Sequence, residues 1–417
     1  MTTPRSLTYA EARRRVLEAA RPGALERVSL AAARGRALRQ TLVAPHPLPP
    51  FDNASMDGWA VRSVDLSGAS AERPVTLEVT GVIPAGSVAE RPLGPGQAMR
   101  IMTGAMLPAE ADSVIAFEDA EGLDAPGSPG RVRVAEPVRA GGNVRPTGAD
   151  LAAGATALAA GRELSAHDLA LLAALGFAEV EVGARPSAAI LSAGDELLGP
   201  GEPLRPGAIR ESNLVQLTAL LEECGCRVVA ARQLPDDVAT LVGSIREALR
   251  LADVVFTIGG VSAGDFDPVR LSLDALGDIE LWRVAMRPGK PQAFGTPQGR
   301  LFFGLPGNPG SVACVFETLV RPALRQVQGF AGLERPWLEV RAATPFASRS
   351  GRRDFVRAKL VRREGAWWAE PAGRQISGYH TPQSRAHALV VVPEEAQSLE
   401  PGDAAQALLL RWPDEGA

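Results

Sequence analysis

The chain has 417 residues, of which 46% are hydrophobic and 22% charged, and it carries a net charge of −4. That length exceeds what one core fills, so roughly two to four domains are expected. The charge excludes a basic field for nucleic acid or anionic membrane, and no apolar run reaches the roughly 20 residues that a membrane-spanning helix needs.

The opening MTTPRSLTYAEARRR lacks the apolar core of a secretion signal. Three cysteines, Cys224, Cys226 and Cys314, form no metal-ligand repeat and suit a reducing cytoplasm. Four scattered histidines (His46, His167, His380, His387) argue against a His-based metal site. Of 44 basic residues only Lys290 and Lys359 are lysine. A lysine retained in a glycine-proline loop, as Lys290 is, therefore draws attention.

In chain order, Thr8–Ala20 reads as a helix, with Thr8 and Glu11 spaced as a capping box. Ser29–Arg39 reads as a second, alanine-rich helix. The proline cluster Pro45–Pro50 is a stiff linker. Strand-like runs follow, Pro74–Thr80 and Ser113–Glu118, and the GSPG turn at Gly127–Gly130 predicts a β-hairpin. Ser165 caps a helix that Gly176 stops. This helical segment is expected to pack with the N-terminal helices, which makes the β-rich part an insertion.

Residues 186–330 alternate strand and helix. Ser187–Leu191, Val228–Leu234, Asp253–Ile258, Ile279–Ala285 and Leu301–Phe303 read as strands. Leu214, Leu217, Leu221 and Cys224 line one helix, and Val238, Leu241, Val242, Ile245 and Leu249 another. The pattern predicts a mostly parallel sheet with helices on both faces and ligands beyond the carboxyl ends of its strands. Five strands then follow, from Trp337–Ala342 to Ala405–Leu410, predicting a small β-barrel or sandwich.

Each strand end leads into an unusual loop: SAGDELLGPG from Ser192, LPDD from Leu234, IGGVSAGDFDP from Ile258, MRPGKPQAFG from Met286 and GLPGNPGS from Gly304. Glycines let backbone approach a phosphate, and carboxylates on one rim suit Mg²⁺. Arg287 and Lys290 are cations for a phosphate or oxyanion. Asp236 and Asp237 precede a helix, so either can serve as its cap. Gly304–Gly310 reads as a turn before a helix N-terminus, which is an anion cradle or a plain connection. No nucleophile elbow, Ser-His-Asp order or Walker A motif is present.

The motifs PPFDNASMDGWAVR, RIMTGAMLP, GGNVRPTGADLAAG, SAGDELLGPGEPL, GGVSAGDFD, RPGKPQAFG, GLPGNPGS and GRRDF occur in this order. On these the chain resembles the molybdopterin molybdenumtransferases, the MoeA family, also found as the E domain of gephyrin. The resemblance covers essentially the whole chain. It implies a multidomain α/β fold with a doubly wound, mostly parallel-sheet molybdopterin-binding domain at 186–330. Around it are a discontinuous helical dimerisation domain (1–48 and 147–185), an inserted β-rich domain (49–146) and a C-terminal small β-barrel (331–417).

The implied function is a late step of molybdenum cofactor biosynthesis. Molybdate is inserted into adenylylated molybdopterin with release of AMP and with Mg²⁺, in a cytoplasmic homodimer that transiently meets the molybdopterin adenylyltransferase. Tungstate, nearly the same in size and charge, remains an alternative oxyanion. By motif, the catalytic set is Asp57, Thr103, Asp150, Glu196, Asp236, Asp267 and Lys290. Of these, Glu196, Asp236 and Asp267 are the expected Mg²⁺ ligands. Substrate binding falls to Gly259, Gly260, Ser262, Arg287, Gly304, Gly307, Asn308, Ser311, Arg352 and Ser377. Arg287 stands where the family usually has lysine, and Trp59 where it usually has tyrosine. The alternatives are an adenylyltransferase or CinA-type pyrophosphatase sharing only the α/β domain, and a gephyrin-like scaffold.

Overall fold

The computed structural model describes residues 4–123, 130–260, 276–349 and 351–413. It divides into two compact units. The first is formed by Met1–Gln40, Ala160–Leu164 and Val180–Ala417, the second by Thr41–Ala159 and Ser165–Glu179.

In the first unit the strands Arg227–Leu234, Ser187–Ala193, Val254–Ile258 and Leu301–Leu305 lie parallel in that order. Pro291–Gly295 and Ile279–Arg287 extend the sheet through antiparallel pairings, and Arg5–Thr8 runs parallel to Ile279–Arg287. The central strands lack polar alternation because both their faces are covered. Ile190, Phe256 and Phe303 enter one core with Leu217 and Leu221 of the helix Asn213–Glu223 and with Val312 and Phe316. Leu191, Val255 and Phe302 enter another with Leu241, Ile245 and Leu249 of the helix Val238–Leu251. The chain leaves Ser187–Ala193 first to one side and then to the other, so a crevice opens where the strand order reverses.

The helix after Leu305 starts at Pro309, with Asn308 as N-cap, and runs through a π turn at Phe316–Val320 into Arg321–Gln328. The five C-terminal strands close into a barrel, because Arg353–Arg363 pairs with both Ala366–Pro371 and Ala388–Val392 while Ala404–Leu409 and Trp337–Ala342 complete the ring. Arg353–Arg363 also continues the main sheet, its Asp354 opposite Arg287.

The second unit holds a six-stranded sheet ordered Ser113–Ala116, Gly58–Val61, Gln97–Ile101, Val75–Ile83, Arg131–Val134, Glu121–Leu123. The expected hairpin is seen in the pairing of Arg131–Val134 with Glu121–Leu123; positions 127–129 of its turn lie outside the described residues. The predicted capping box of Thr8 with Glu11 is present, and the predicted cap Ser165 forms a second box with Asp168.

Two expectations need correction. Only Leu30–Ala33 of the predicted Ser29–Arg39 helix is helical. Gly35 takes a φ of 71°, and Ala37 and Leu38 bridge to Glu163 and Val182, so strand-type pairing outweighs alanine's helix propensity. Gly304 is a strand residue and not the first turn residue, because Thr257 and Ala293 flank it on either side.

Candidate functional site

Beyond the carboxyl ends of Ile279–Arg287 and Leu301–Leu305, the first unit has a cleft of about 1040 Å³. It gathers Arg287, Lys290, Asn308, Ser311, Arg352 and Ser377, all singled out from sequence, and adds Arg283, Arg349 and Gln375. Among the described lining residues the only carboxylate is that of Glu11, which is engaged by the N–H and hydroxyl of Thr8. Cations thus dominate, as an anionic ligand requires.

Lys290 sits at the tip of the hairpin between Ile279–Arg287 and Pro291–Gly295. The tip is fixed by backbone: Lys290 O accepts from Val284 N–H (2.8 Å), and Gly289 O accepts from Gln292 Nε2 (2.6 Å). Gly289, at φ 111°, is required because a Cβ there lies 2.6 Å from Val315 Cγ2. The Lys290 side chain is exposed, with no ion-pair partner among the described residues.

Asp354, only 2% exposed, anchors two cleft arginines. Arg352 Nε donates to its Oδ1 (2.8 Å), and Arg287 Nη1 lies 3.5 Å from its Oδ2. Arg287 also donates through Nη2 to Gln375 O at 3.4 Å. A guanidinium spans both acceptors, which a lysine ammonium does not do with the same geometry. Arginine at this position is therefore a tethered cation.

Sequence reasoning missed Arg357. It is 2% exposed and donates to Gln375 Oε1 (3.2 Å), Ile376 O (3.2 Å) and Tyr379 O (3.4 Å), with no carboxylate within 4 Å among the described residues. Burial, together with the neighbouring Arg287, holds its pKa below the ordinary arginine value. It supports the segment that carries Ser377, whose carbonyl accepts from Gly310 N–H (2.8 Å) at the helix start. The available signal was an arginine inside the apolar run Phe355–Leu360.

The acidic residues form a separate group. Asp237 is the helix cap, accepting from Thr240 N–H at 2.8 Å, which leaves Asp236 free of that task. Asp236 N–H lies 3.3 Å from Asp195 Oδ1. Burial first, then the charges of Asp195 and Glu196, push the Asp236 pKa up. Such crowding of negative charge fits a hard cation that takes few protein ligands. Among the described residues, however, no three His, Cys, Asp or Glu side chains are grouped to hold a metal. Asp267 and Ser262 lie outside the described residues.

Gly259 and Gly260 adopt φ of 89° and 66°, and Gly307 lies against Gly259. Glu196, Asp236, Gly259 and Gly260 do not line the cleft itself. Gly304, inside a buried strand, presents no free edge to a ligand.

Asp57, Thr103 and Asp150 belong to the second unit. Asp57 Oδ1 accepts from both Thr103 N–H and Thr103 Oγ1, each at 2.7 Å. Asp52 and Thr147 repeat the device at the same distances. Asp150 is exposed, its N–H donating to Leu48 O. Trp59 is buried edge-on against Phe117, with Nε1 unpartnered among the described residues.

The bonds from Thr103 and Thr147 hold both carboxyls below their ordinary value of 3.8. A depressed folded-state pKa gives stability that is present above the unfolded value and lost as pH falls through the folded one. The melting temperature of the second unit's transition is thus expected to drop below about pH 4, and Asp57→Asn to flatten that drop. An unchanged slope in calorimetry across that range refutes the assignment.

A doubly wound α/β domain with a basic cleft at its strand ends and a helix N-terminus on the cleft wall has the chemistry that suits phosphate or oxyanion groups. Residues 7–176 match the MoeA N-terminal region (domain I and II), residues 189–326 a probable molybdopterin binding domain, and residues 339–410 the MoeA C-terminal region (domain IV). Molybdopterin molybdenumtransferase 2 of Mycobacterium tuberculosis is 37% identical over 388 residues, covering 90% of this chain and 92% of its own. Molybdopterin molybdenumtransferase of Bacillus subtilis is 35% identical over 413 residues, covering 97% and 95%. The crystal structure of a molybdopterin biosynthesis MoeA protein from Pyrococcus horikoshii superposes with a TM-score of 0.83 at 32% identity, over 98% of this chain and 100% of that one. The chain belongs to the MoeA family of molybdopterin molybdenumtransferases, transferases of molybdenum cofactor biosynthesis. Matches on both sides of the α/β domain disfavour the readings that share that domain alone.

Proposed function

We propose that the cleft binds adenylylated molybdopterin and molybdate, that the two dithiolene sulfurs replace two molybdate oxygens, which leave as water with the thiol protons and protons from solvent, and that water cleaves the phosphoanhydride to release AMP, with Mg²⁺. The observation that carries this reading is the meeting of Arg287, Lys290, Arg349 and Arg352 with Asn308, Ser311 and Ser377 in one cleft. Breaking a phosphoanhydride builds negative charge on the leaving phosphate, and preorganised cations stabilise that charge. Arg287 and Arg352, tethered to Asp354, and the untethered Lys290 serve this role and hold molybdate near the dithiolene sulfurs. The helix N-terminus at Asn308 and Ser311 takes the pterin phosphate.

Glu196, Asp236 and Asp267 would hold Mg²⁺, which would supply further charge neutralisation. Asp57, locked by Thr103, acts as a fixed, ionised acceptor, and Asp150 joins it from the same unit. Residues 1–48 with 147–185 form the dimerisation region of a homodimer, and 49–146, 186–330 and 331–417 are the inserted β-rich, the molybdopterin-binding and the barrel domains. Three buried free cysteines suit a reducing cytoplasm. No described helix is long and apolar enough to cross a membrane. Contact with the adenylyltransferase delivers the labile substrate.

The test is incubation with adenylylated molybdopterin, Mg²⁺ and molybdate or tungstate, scored by AMP release and metal in the pterin product. Molybdate-dependent AMP release is expected. In a parallel incubation with molybdopterin, ATP and Mg²⁺, formation of adenylylated product refutes the reading.

A further inference from the structure

The start of the helix Asn213–Glu223 is built from a buried carboxylate. Ser212 holds the N-cap position, yet its hydroxyl makes no cap. Glu211 does the capping: its Oε1 accepts from the N–H of Asn213 (2.6 Å) and of Leu214 (3.0 Å), and its Oε2 from the hydroxyl of Ser192. Glu211 is 4% exposed and Ser192 1%. Three donors and the positive helix end offset the cost of burying this charge. A serine or aspartate cap satisfies a helix start without burying a glutamate, so the arrangement serves something besides the helix.

What it does is free the next two side chains to face neighbouring loops. Ser212 Oγ lies 3.5 Å from His380 Nε2, just beyond the segment that carries Ser377. Asn213, 7% exposed, donates through Nδ2 to Gly307 O at 2.7 Å, while its Oδ1 has no partner among the described residues. Gly307 immediately precedes Asn308, the cap of the helix whose first turn forms a wall of the cleft. A chain of contacts, buried from Ser192 through Glu211 to Asn213 and ending on the exposed Gly307, therefore joins the exit of the strand Ser187–Ala193 to the glycine loop.

We propose that Asn213 is a positioning residue for the cleft. Its amide fixes the Gly307 carbonyl and so aims the N-terminus at Asn308–Ser311 toward the pterin phosphate. This rests on the function proposed above and adds one residue to it: Asn213 acts through the pterin phosphate site, apart from Arg287, Lys290 and Arg352, which hold molybdate and the leaving phosphate.

The test uses the full chain with Asn213→Ala and Asn213→Asp. Aspartate keeps the volume and is favourable in a helix's first turn, but it turns an acceptor toward Gly307 O. Both variants are expected to lose on the order of 10²-fold in kcat/KM for the pterin, seen as a raised KM. Half-saturating molybdate is expected to stay at the wild-type value, and both variants to remain folded, Asn213→Asp with a lowered melting temperature because its buried carboxylate faces the Gly307 carbonyl. Amide hydrogen exchange at Gly307, Asn308 and Gly310 is expected to accelerate in both. Wild-type pterin KM in the folded Asn213→Asp variant overturns the proposal, as does equal loss for both substrates. If the wild type releases no AMP, the functional reading fails. Hydrogen exchange then decides the Asn213 assignment: acceleration confined to the glycine loop supports it, and unchanged exchange overturns it.

Discussion

Lys290→Ala is expected to fold and melt like the wild type while its AMP release and molybdenum insertion fall by at least roughly 10²–10³-fold. The first half follows from exposure. The ammonium makes no ion pair among the described residues, and the hairpin tip is held by the Lys290 carbonyl and by Gly289, which the substitution leaves in place. Exposed substitutions of this kind shift stability by about 0.5 kcal/mol or less. The second half follows from contrast with the neighbouring cations. Arg287 and Arg352 are committed to Asp354, whereas Lys290 is free to follow a ligand. A flexible point charge suits an oxyanion that changes shape and charge during reaction. Single-turnover AMP release read by chromatography, beside a thermal melt, checks both halves. Wild-type turnover, or an unfolded variant, refutes the assignment.

Glu317→Ala carries the largest expected stability loss. Glu317 is 4% exposed on the π turn. Its carboxylate accepts from Arg321 Nε (2.7 Å) and Nη2 (3.2 Å) and from Arg335 Nε (2.8 Å) and Nη2 (3.2 Å). Removing it leaves the buried Arg321 uncompensated, which costs about 3–5 kcal/mol. Glu223 also reaches both arginines, so the lower end of that range is expected. Arg335 stands between the last helix of the α/β domain and the barrel, donating to Leu410 O, so the two are expected to loosen together. Urea unfolding of the first unit, with Glu317→Gln as the milder comparison, measures the effect. A loss below about 1 kcal/mol refutes a structural role for the network.

The elements of the α/β domain were legible because burial and periodicity agree there. Ser187–Ala193 and Leu301–Leu305 are continuous small or apolar runs since both faces are covered, and Leu217, Leu221, Leu241 and Ile245 recur at helical spacing. The capping box at Thr8 and the cap at Ser165 were legible because such spacings are local. The Ser29–Arg39 segment misled because its helix propensity is weaker than the long-range pairing of Ala37 and Leu38. Within the motifs, Lys290 stood out by type and context, while Arg352 and Ser377 were reached only through the resemblance to the family. Arg357 and Asn213 did not stand out, since each acts through a carbonyl contributed by a distant loop.

Local order therefore lay in the sequence alone: the alternation of strand and helix, the glycine turns at strand ends, the one lysine in a loop and the family. Hydrophobic period and turn chemistry are short-range properties, and a chain carries them wherever it goes. The tertiary structure decided which of those loops meet. It set Arg287 opposite Asp354 across a strand pair, put Ser377 against Gly310, and gave Asp236 its neighbours while Asp237 became a cap. These outcomes depend on sheet order and on barrel closure, which bring together residues dozens of positions apart, and no local pattern encodes such a meeting.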